Sequence, residues 1–327
     1  MNKDLLHENV LQAIKERMPN KMNLANRLVD LLCIEKEAVY RRLRGEVAFT
    51  FSEIALISNE FGISLDNIIS SSLSLKSKPF QLKAIDYLQP EEMDYAMMEQ
   101  YLGIMKAGRM DPRSEIVDCT NTLPLYFYHG HKYLERLQLF KSLYQSGRTN
   151  TVKSFEEIHL TKRLEQYQKE DVIEIKYIKN AYYIFDPFIF QYLVNDVIYF
   201  RSINLISEED MENMKNDLLH LLSEMEQLAI SGFDKDTGNR IYMYVASINF
   251  DVSCWYIDIN NYHISMLKAF VLNNFTSLDE DSFLILKKRI EALLRSSTMI
   301  SVSGERQRIA FFEKQREIVN TLNVLSA

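Results

Sequence analysis

The stretch LVDLLCIEKEAVYRRLRG, residues 28–45, reads as a short helix, a tight turn and a second short helix. Leu28, Leu31 and Leu32, with Leu24 one turn earlier, recur at helical spacing and form one apolar face. Asn23 can cap that helix, because its side-chain oxygen accepts an orphan backbone N–H. Cys33 and Ile34 fall at the turn, where Ile34 plugs the angle between the helices. The second helix runs from Glu35 or Lys36 to Arg44, and Gly45 closes it in the left-handed conformation. Ala38, Val39 and Leu43 point inward, leaving Lys36, Tyr40, Arg41 and Arg44 outside.

Between Lys36 and Arg44 stand four cations, Lys36, Arg41, Arg42 and Arg44, against one acid, Glu37. A short helix with long planar donors on one side can enter a major groove, where arginine pairs with guanine edges or bridges phosphates. Arg41 and Arg44 therefore lead the candidate DNA contacts. Lys36, Glu37, Tyr40 and Arg42 follow, and Asn23 and Thr50 stand at helix ends where a backbone contact is expected.

Here the chain resembles the helix-turn-helix of phage-repressor/Cro-type (XRE-like) bacterial transcriptional regulators. Leu28-Val29 falls on the pattern's Leu-Ala, Cys33 on its turn glycine, Ile34 on the following valine, Val39 on the inward isoleucine and Gly45 on the closing glycine. Val29 is larger than the usual alanine, and Arg42 occupies a position that is usually apolar. FGISLDNII, residues 61–69, matches the closing segment of the same family. The resemblance covers residues 1–70 and implies a five-helix, lambda-repressor-like DNA-binding domain over residues 1–69, double-stranded DNA as partner, and a homodimer.

The neighbouring segments fit that outline. Residues 4–18 carry Leu5, Leu6, Val10, Leu11 and Ile14 as a helical stripe. Ser52 can cap a fourth helix ending at Gly62, and Ser64 can cap a fifth. The serines of SSSLSLKSKP, residues 70–79, mark a linker over 70–80, leaving residues 81–327 as a regulatory or oligomerisation domain.

That larger domain reads as mostly helical α+β with a small antiparallel sheet, so the chain as a whole is mainly α. Helices are expected over 91–106, 132–144, 154–168, 186–203, 207–230, 277–295 and 305–322. The first carries a stripe of Met93, Met97, Tyr101, Ile104 and Met105, the last one of Ile309, Phe312, Ile318 and Val319, and either stripe can serve a dimer contact. LPLYFY, residues 123–128, reads as a buried strand. VIEIKYI and AYYIF, residues 172–178 and 181–185, can form a strand pair, with a helix as the alternative for the first. A three-strand meander is expected over 241–271, turning at Asn260-Asn261.

Composition bounds the function. The apolar share of 47% and charged share of 25% are those of a soluble globular protein. No apolar run approaches a membrane span. The acidic start MNKDLLHENV is unlike a signal peptide, and Cys33, Cys119 and Cys254 are scattered and odd in number, so a reducing cytoplasm is expected. Residues 1–70 hold nine Lys/Arg against ten Asp/Glu, and the remainder 29 against 35, within a total of −7. Strong non-specific DNA affinity is not expected from such a balance.

Catalytic motifs are absent: there is no phosphate loop, no Gly-x-Gly-x-x-Gly and no Cys-x-x-Cys. His129-Gly-His131 offers two metal donors and no evident third, so neither a metal site nor a cofactor is expected, and the chain does not read as an enzyme. Aromatic density around Tyr182–Tyr192 and Tyr242–Tyr262 suits either a packed core or a cavity for a small-molecule or peptide effector. The expectation is a sequence-specific, dimeric, cytoplasmic transcriptional regulator. The competing readings are an antitoxin-like repressor and a helix-turn-helix module that docks protein without a small-molecule ligand.

Overall fold

In the computed structural model the apolar spacing of residues 3–61 becomes four helices, α1 (Lys3–Arg17), α2 (Lys21–Leu32), α3 (Lys36–Leu43) and α4 (Phe51–Phe61). The described residues are 3–17, 21–61, 63, 65, 90–147, 155, 158–260, 262–268 and 274–322. The chain divides into two compact units, Met1–Phe80 and Gln81–Ala327. The expected fifth helix and the linker at 70–80 lie outside the described residues, apart from Ile63 and Leu65.

Val10, Leu11 and Ile14 of α1 close on Leu24, Ala25 and Leu28 of α2, Val39 of α3 and Ile57 of α4 to make the small core, with Phe49 and Ile63. Cys33 takes φ 54°, the left-handed value that the turn between α2 and α3 demands. Gly45 takes φ 78° after α3. There the Gly45 N–H donates to the Arg42 carbonyl and the Glu46 N–H to the Arg41 carbonyl, both at 2.9 Å, the paired bonds of a Schellman cap. Two expected caps move. α2 begins at Lys21, so Asn23 sits inside its first turn rather than at the cap, and its side chain is outside those described. α4 is capped by Thr50, not Ser52: the Glu53 N–H donates to Thr50 Oγ1 at 3.2 Å and the Thr50 N–H to Glu53 Oε2 at 2.7 Å. This is a capping box, and it wins because it satisfies two orphan donors at once.

In Gln81–Ala327 the order is α5 (Glu92–Ala107), β1 (Glu115–Thr120), α6 (Leu125–Tyr128), α7 (Lys132–Gln145), α8 (Lys162–Tyr177), β2 (Asn180–Phe185), α9 (Ile189–Ser202), α10 (Glu208–Ser231), β3 (Arg240–Val245), β4 (Cys254–Ile259), β5 (Tyr262–Lys268), β6 (Asn274–Ser277), α11 (Glu280–Ser296), β7 (Thr298–Met299) and α12 (Glu305–Asn320). Among the described residues the chain is mainly helical, with one sheet of seven strands in the order β6-β5-β4-β1-β2-β3-β7.

The sheet is larger than expected, and mixed. β1, β2 and β3 run parallel, joined by helical crossovers, while β4, β5 and β6 continue antiparallel from the other edge of β1. The expected meander is thus split. β4 and β5 form the hairpin that turns at Asn260, φ 51°, but β3 pairs with β2 and β7. β1, the central strand, went unread in the sequence. Residues 172–178 finish α8 instead of pairing with β2, and residues 125–128 form a helical turn instead of a strand. α8 starts at Lys162 with Thr161 as its cap, later than the capping-box spacing at Ser154 suggests; residues 151–154 lie outside the described set.

The two sheet faces have different partners. Val117, Cys119, Ile184 and Tyr256 pack on Phe283 and Ile290 of α11. The opposite face carries the main core, which takes in α9, α10 and α12. α12 is spent there: Phe312, Gln315 and Val319 are fully buried, against α9 and α10. α5 buries Tyr95, Met98, Leu102 and Met105, and Met93 of the expected stripe is exposed. Neither stripe is left over for a dimer contact in the form expected.

Cys33 has a side chain at a left-handed position that costs non-glycine residues about 1–2 kcal/mol. Cys33→Gly removes that strain and loosens the unfolded chain, so a net gain of roughly 0.5–1 kcal/mol for Met1–Phe80 is expected. Urea unfolding of the full chain followed by far-ultraviolet circular dichroism measures it.

Candidate functional site

Two sites stand out, one in each unit. The first is the outer face of α3, held in place because Val39 is fully buried and Leu43 and Ile34 pack on the small core. Arg41 and Arg44 are about half exposed, at 55% and 49%. Lys36 and Glu37 are exposed as well, whereas Tyr40 is half-buried against the core rather than free.

Arg42 is turned away from this face. Its guanidinium meets Glu53 at 2.9 Å and 3.1 Å and donates to the Ala38 carbonyl at 3.2 Å. Burial raises the Glu53 pKa, but the bonds from Arg42 and the Thr50 N–H outweigh it and leave the carboxyl below its usual range. Arg42 thus fills its usually apolar position by pairing inward, and it leaves the candidate DNA contacts. Thr50 remains exposed as the cap of α4.

The remaining arginines are internally balanced. Arg44 Nε donates to Glu46 at 2.6 Å and its Nη2 to Glu37 at 3.0 Å, while Arg41 Nε lies 3.7 Å from Glu46. The hydrogen bond from Glu46, then that from Glu37, pushes the Arg44 pKa further up, and Arg44 in turn lowers that of Glu46. Lys36 is the cation of this face that makes no ion pair among the described residues. Glu46 and Glu53 were not singled out in the sequence.

The second site is a cavity of about 260 Å³ inside Gln81–Ala327. Alternation along β1 places Ile116, Asp118 and Thr120 on one face, and along β5 it does the same for Ile264, Met266 and Lys268. Strand register then sets Tyr183, Asp118, Trp255, Met266 and Thr276 side by side in one row across the sheet. All of them line the cavity floor. Helical spacing builds the cover, with Met97, Tyr101 and Ile104 from α5 and Tyr167, Asp171 and Ile175 from α8. Tyr126 and Tyr128 close one side.

Two carboxyls in this cavity lack partners. Asp118 Oδ1 and Asp171 Oδ1 are buried with no hydrogen-bond partner. Burial, with the nearby Glu174 adding to it, raises the Asp171 carboxyl to about 7. Glu174 is itself neutralised by a two-pronged bond from Arg109, each at 2.6 Å. Burial also raises Asp118 to about 7 against the pull of Lys268, and lowers Lys268 to about 8. Lys268 Nζ donates to Thr122 Oγ1 at 2.7 Å. None of these three residues was singled out in the sequence. The signal was a charge within a largely apolar strand, Asp118 in EIVDCT and Lys268 in YHISMLK.

The expected aromatic segments divide between core and cavity. Phe185 and Phe190 are fully buried core, while Tyr183 and Trp255 face the cavity. His131, which lacked a third donor in the sequence, meets His220 and Glu224 of α10, with all three ligand atoms within 4.8 Å of one another. His131 Nε2 lies 2.8 Å from Glu224, while His220 and Glu224 are mostly exposed. Long-range folding supplies the missing donors, making a two-histidine, one-carboxylate set with an open side. No family model, curated protein or solved structure matches the chain.

Asp171 ties stability to pH. Its folded pKa of about 7 lies above the ordinary 3.8, so the folded chain holds this proton more tightly than the unfolded one. Stability therefore falls as pH rises through that window, and the cost is fully present above it. Asp171→Asn is expected to raise Tm by several degrees at pH 8, for roughly 1–3 kcal/mol of relieved burial cost, with the gain fading toward pH 4. Calorimetric scans of both proteins across this range measure it.

Proposed function

We propose that the chain is a sequence-specific DNA-binding transcriptional regulator of the cytoplasm, working as a homodimer. Met1–Phe80 reads double-stranded DNA through α3 in the manner of the lambda-repressor-like regulators it resembles. Gln81–Ala327 provides the dimer contact and the site of a small-molecule effector. The observation that carries the reading is the pair Arg41 and Arg44, half exposed on a short helix whose other side is locked by Val39 and by the inward Arg42–Glu53 pair. Lys36 adds a phosphate contact, and Thr50, at the start of α4, is placed for a backbone contact. The size of the cavity, about 260 Å³, favours a small molecule over a peptide. No catalytic step belongs to this reading.

Dimerisation supplies the information that one reading helix lacks. Two copies related by a two-fold axis read half-sites about one DNA turn apart. Since Phe312, Gln315 and Val319 of α12 are buried within its own unit and Ile309 alone of its stripe is exposed, the contact draws on another surface of Gln81–Ala327. Light scattering on the full chain at micromolar concentration is expected to give twice the chain mass.

A second reading, a module that docks protein, draws on the internal charge balance of the α3 face. The two readings part at Glu46. If α3 reads DNA, Glu46 competes with phosphate and base edges for Arg41 and Arg44. Glu46→Gln is then expected to tighten duplex binding several-fold and to steepen its salt dependence toward one further phosphate contact. Arg41→Ala and Arg44→Ala are each expected to cost about 1–3 kcal/mol on the tightest-bound duplex while leaving Tm unchanged. Electrophoretic or fluorescence titrations of the full chain read all three. Unchanged affinity in all three variants would favour protein docking.

A further inference from the structure

The proposal here rests on reading the cavity of Gln81–Ala327 as the effector site, and concerns what occupies it. We propose that this cavity binds a small organic cation, a protonated amine on an apolar body, with the amine held between Asp171, Asp118 and the surrounding aromatic rings.

Charge, shape and orphaned atoms all favour that occupant. Of the residues lining the cavity, Asp118, Asp171 and Lys268 are the charged ones. Lys268 already has Thr122 as acceptor and feels the charge of Asp118, which lies two strands away across β4. With all three ionised, that leaves the cavity one negative charge in excess, at Asp171. Asp171 is about nine-tenths buried, and its Oδ1 has no partner. The bidentate Arg109 bond neutralises Glu174, so no cation of the protein is left to serve Asp171. His129, which acts on Asp171 from a distance, is engaged by Glu135 at 2.9 Å.

An entering anion would leave Asp171 more poorly solvated and compete with Asp118 for Lys268. An ammonium would satisfy both orphaned oxygens. The electron-rich faces of tyrosine and tryptophan around it add cation–π attraction, as in cages that recognise ammonium groups. Tyr126 and Tyr183 stack with ring centroids 5.8 Å apart, so part of the wall is fixed in advance. The rest of the wall is apolar, supplied by residues such as Ile104, Ile264 and Met266, and accepts the ligand's body. At about 30 Å³ for a water-sized group, a cavity of about 260 Å³ admits a molecule of roughly nine heavy atoms.

Trp255, the single tryptophan of the chain, lies in the cavity floor and reports occupancy directly. The test titrates the full chain with phenethylamine, phenethyl alcohol and phenylacetate, which share a body and differ in charge. It reads tryptophan emission and Tm, with no DNA present. Phenethylamine is expected to give a saturable change and to bind at least about tenfold more tightly than the other two. In Asp171→Asn its affinity is expected to fall on the order of 30-fold. Asp118→Asn, on the opposite wall, gives a second variant with a loss in the same direction, and circular dichroism checks the fold of both. Binding of the alcohol or the carboxylate as tight as that of the amine would overturn the proposal. So would the lack of a saturable response to phenethylamine, or an unchanged amine affinity in the folded variants. Because the readout is within Gln81–Ala327, either result leaves the DNA-reading proposal to stand or fall on the α3 variants.

Discussion

Removing a carboxyl from water is among the costliest things a fold can do, and Gln81–Ala327 does it twice around one cavity, at Asp171 and at Asp118, the latter with Lys268 as counter-charge. Asp118 and Asp171 stay where they are because the elements that carry them are held from other directions. β1 is laddered on both sides, to β2 and β4, and its reverse face is sealed by α11. α8 is capped by Thr161 and tied to the turn after α5 by Arg109–Glu174, with the Arg109 guanidinium also 3.9 Å from the Tyr177 ring centroid. A rigid frame that keeps charge out of water stores free energy that a partner of opposite charge can recover. That is the usual trade of stability for binding at a preorganised site. Burial holds the carboxyls of Asp118 and Asp171 up at about 7, and the proposed cation would favour their ionised forms.

The α3 face follows a milder form of the same economy. Its guanidinium groups are exposed, so their pairing with Glu37 and Glu46 adds little stability. In the proposed DNA-reading role, the pairing would remove the net positive field that binds any duplex and leave geometry to decide. Arg42 differs from its neighbours by being spent inside, where with Thr50 and Glu53 it joins the end of α3 to the start of α4. One residue in this cationic run thus serves the fold, and the others are available to a partner.

Local patterns in the sequence carried the elements whose causes are local. The turn at Cys33, the left-handed Gly45, the helix expected over 207–230 and the Asn260 turn all sit at their expected places. What failed was decided at long range. Residues 172–178 and 125–128 have strand-like composition, but each is helical and packs on other elements, the first on α5 and the second on Tyr183 and Phe185 of the sheet. β1 was missed because it is only six residues long and broken by Asp118, the residue that matters most in it. Part of the cavity's aromatic wall was legible, since the density around Tyr183 and Trp255 suits a cavity as well as a core, but its floor was not, because it depends on a five-residue row assembled from β1, β2, β4, β5 and β6. Arg42 was misplaced for the same reason: its partner, Glu53, lies eleven residues away on another helix.

The central claim is that α3 reads DNA sequence, and selection from a random duplex library tests it most directly. The full chain is equilibrated with the library at physiological salt, and bound duplexes are recovered over several rounds and sequenced. The account predicts enrichment of one motif, built of two inverted half-sites of roughly four to six base pairs spaced about one helical turn apart. A library that stays unenriched, or binding that ignores sequence, would contradict it.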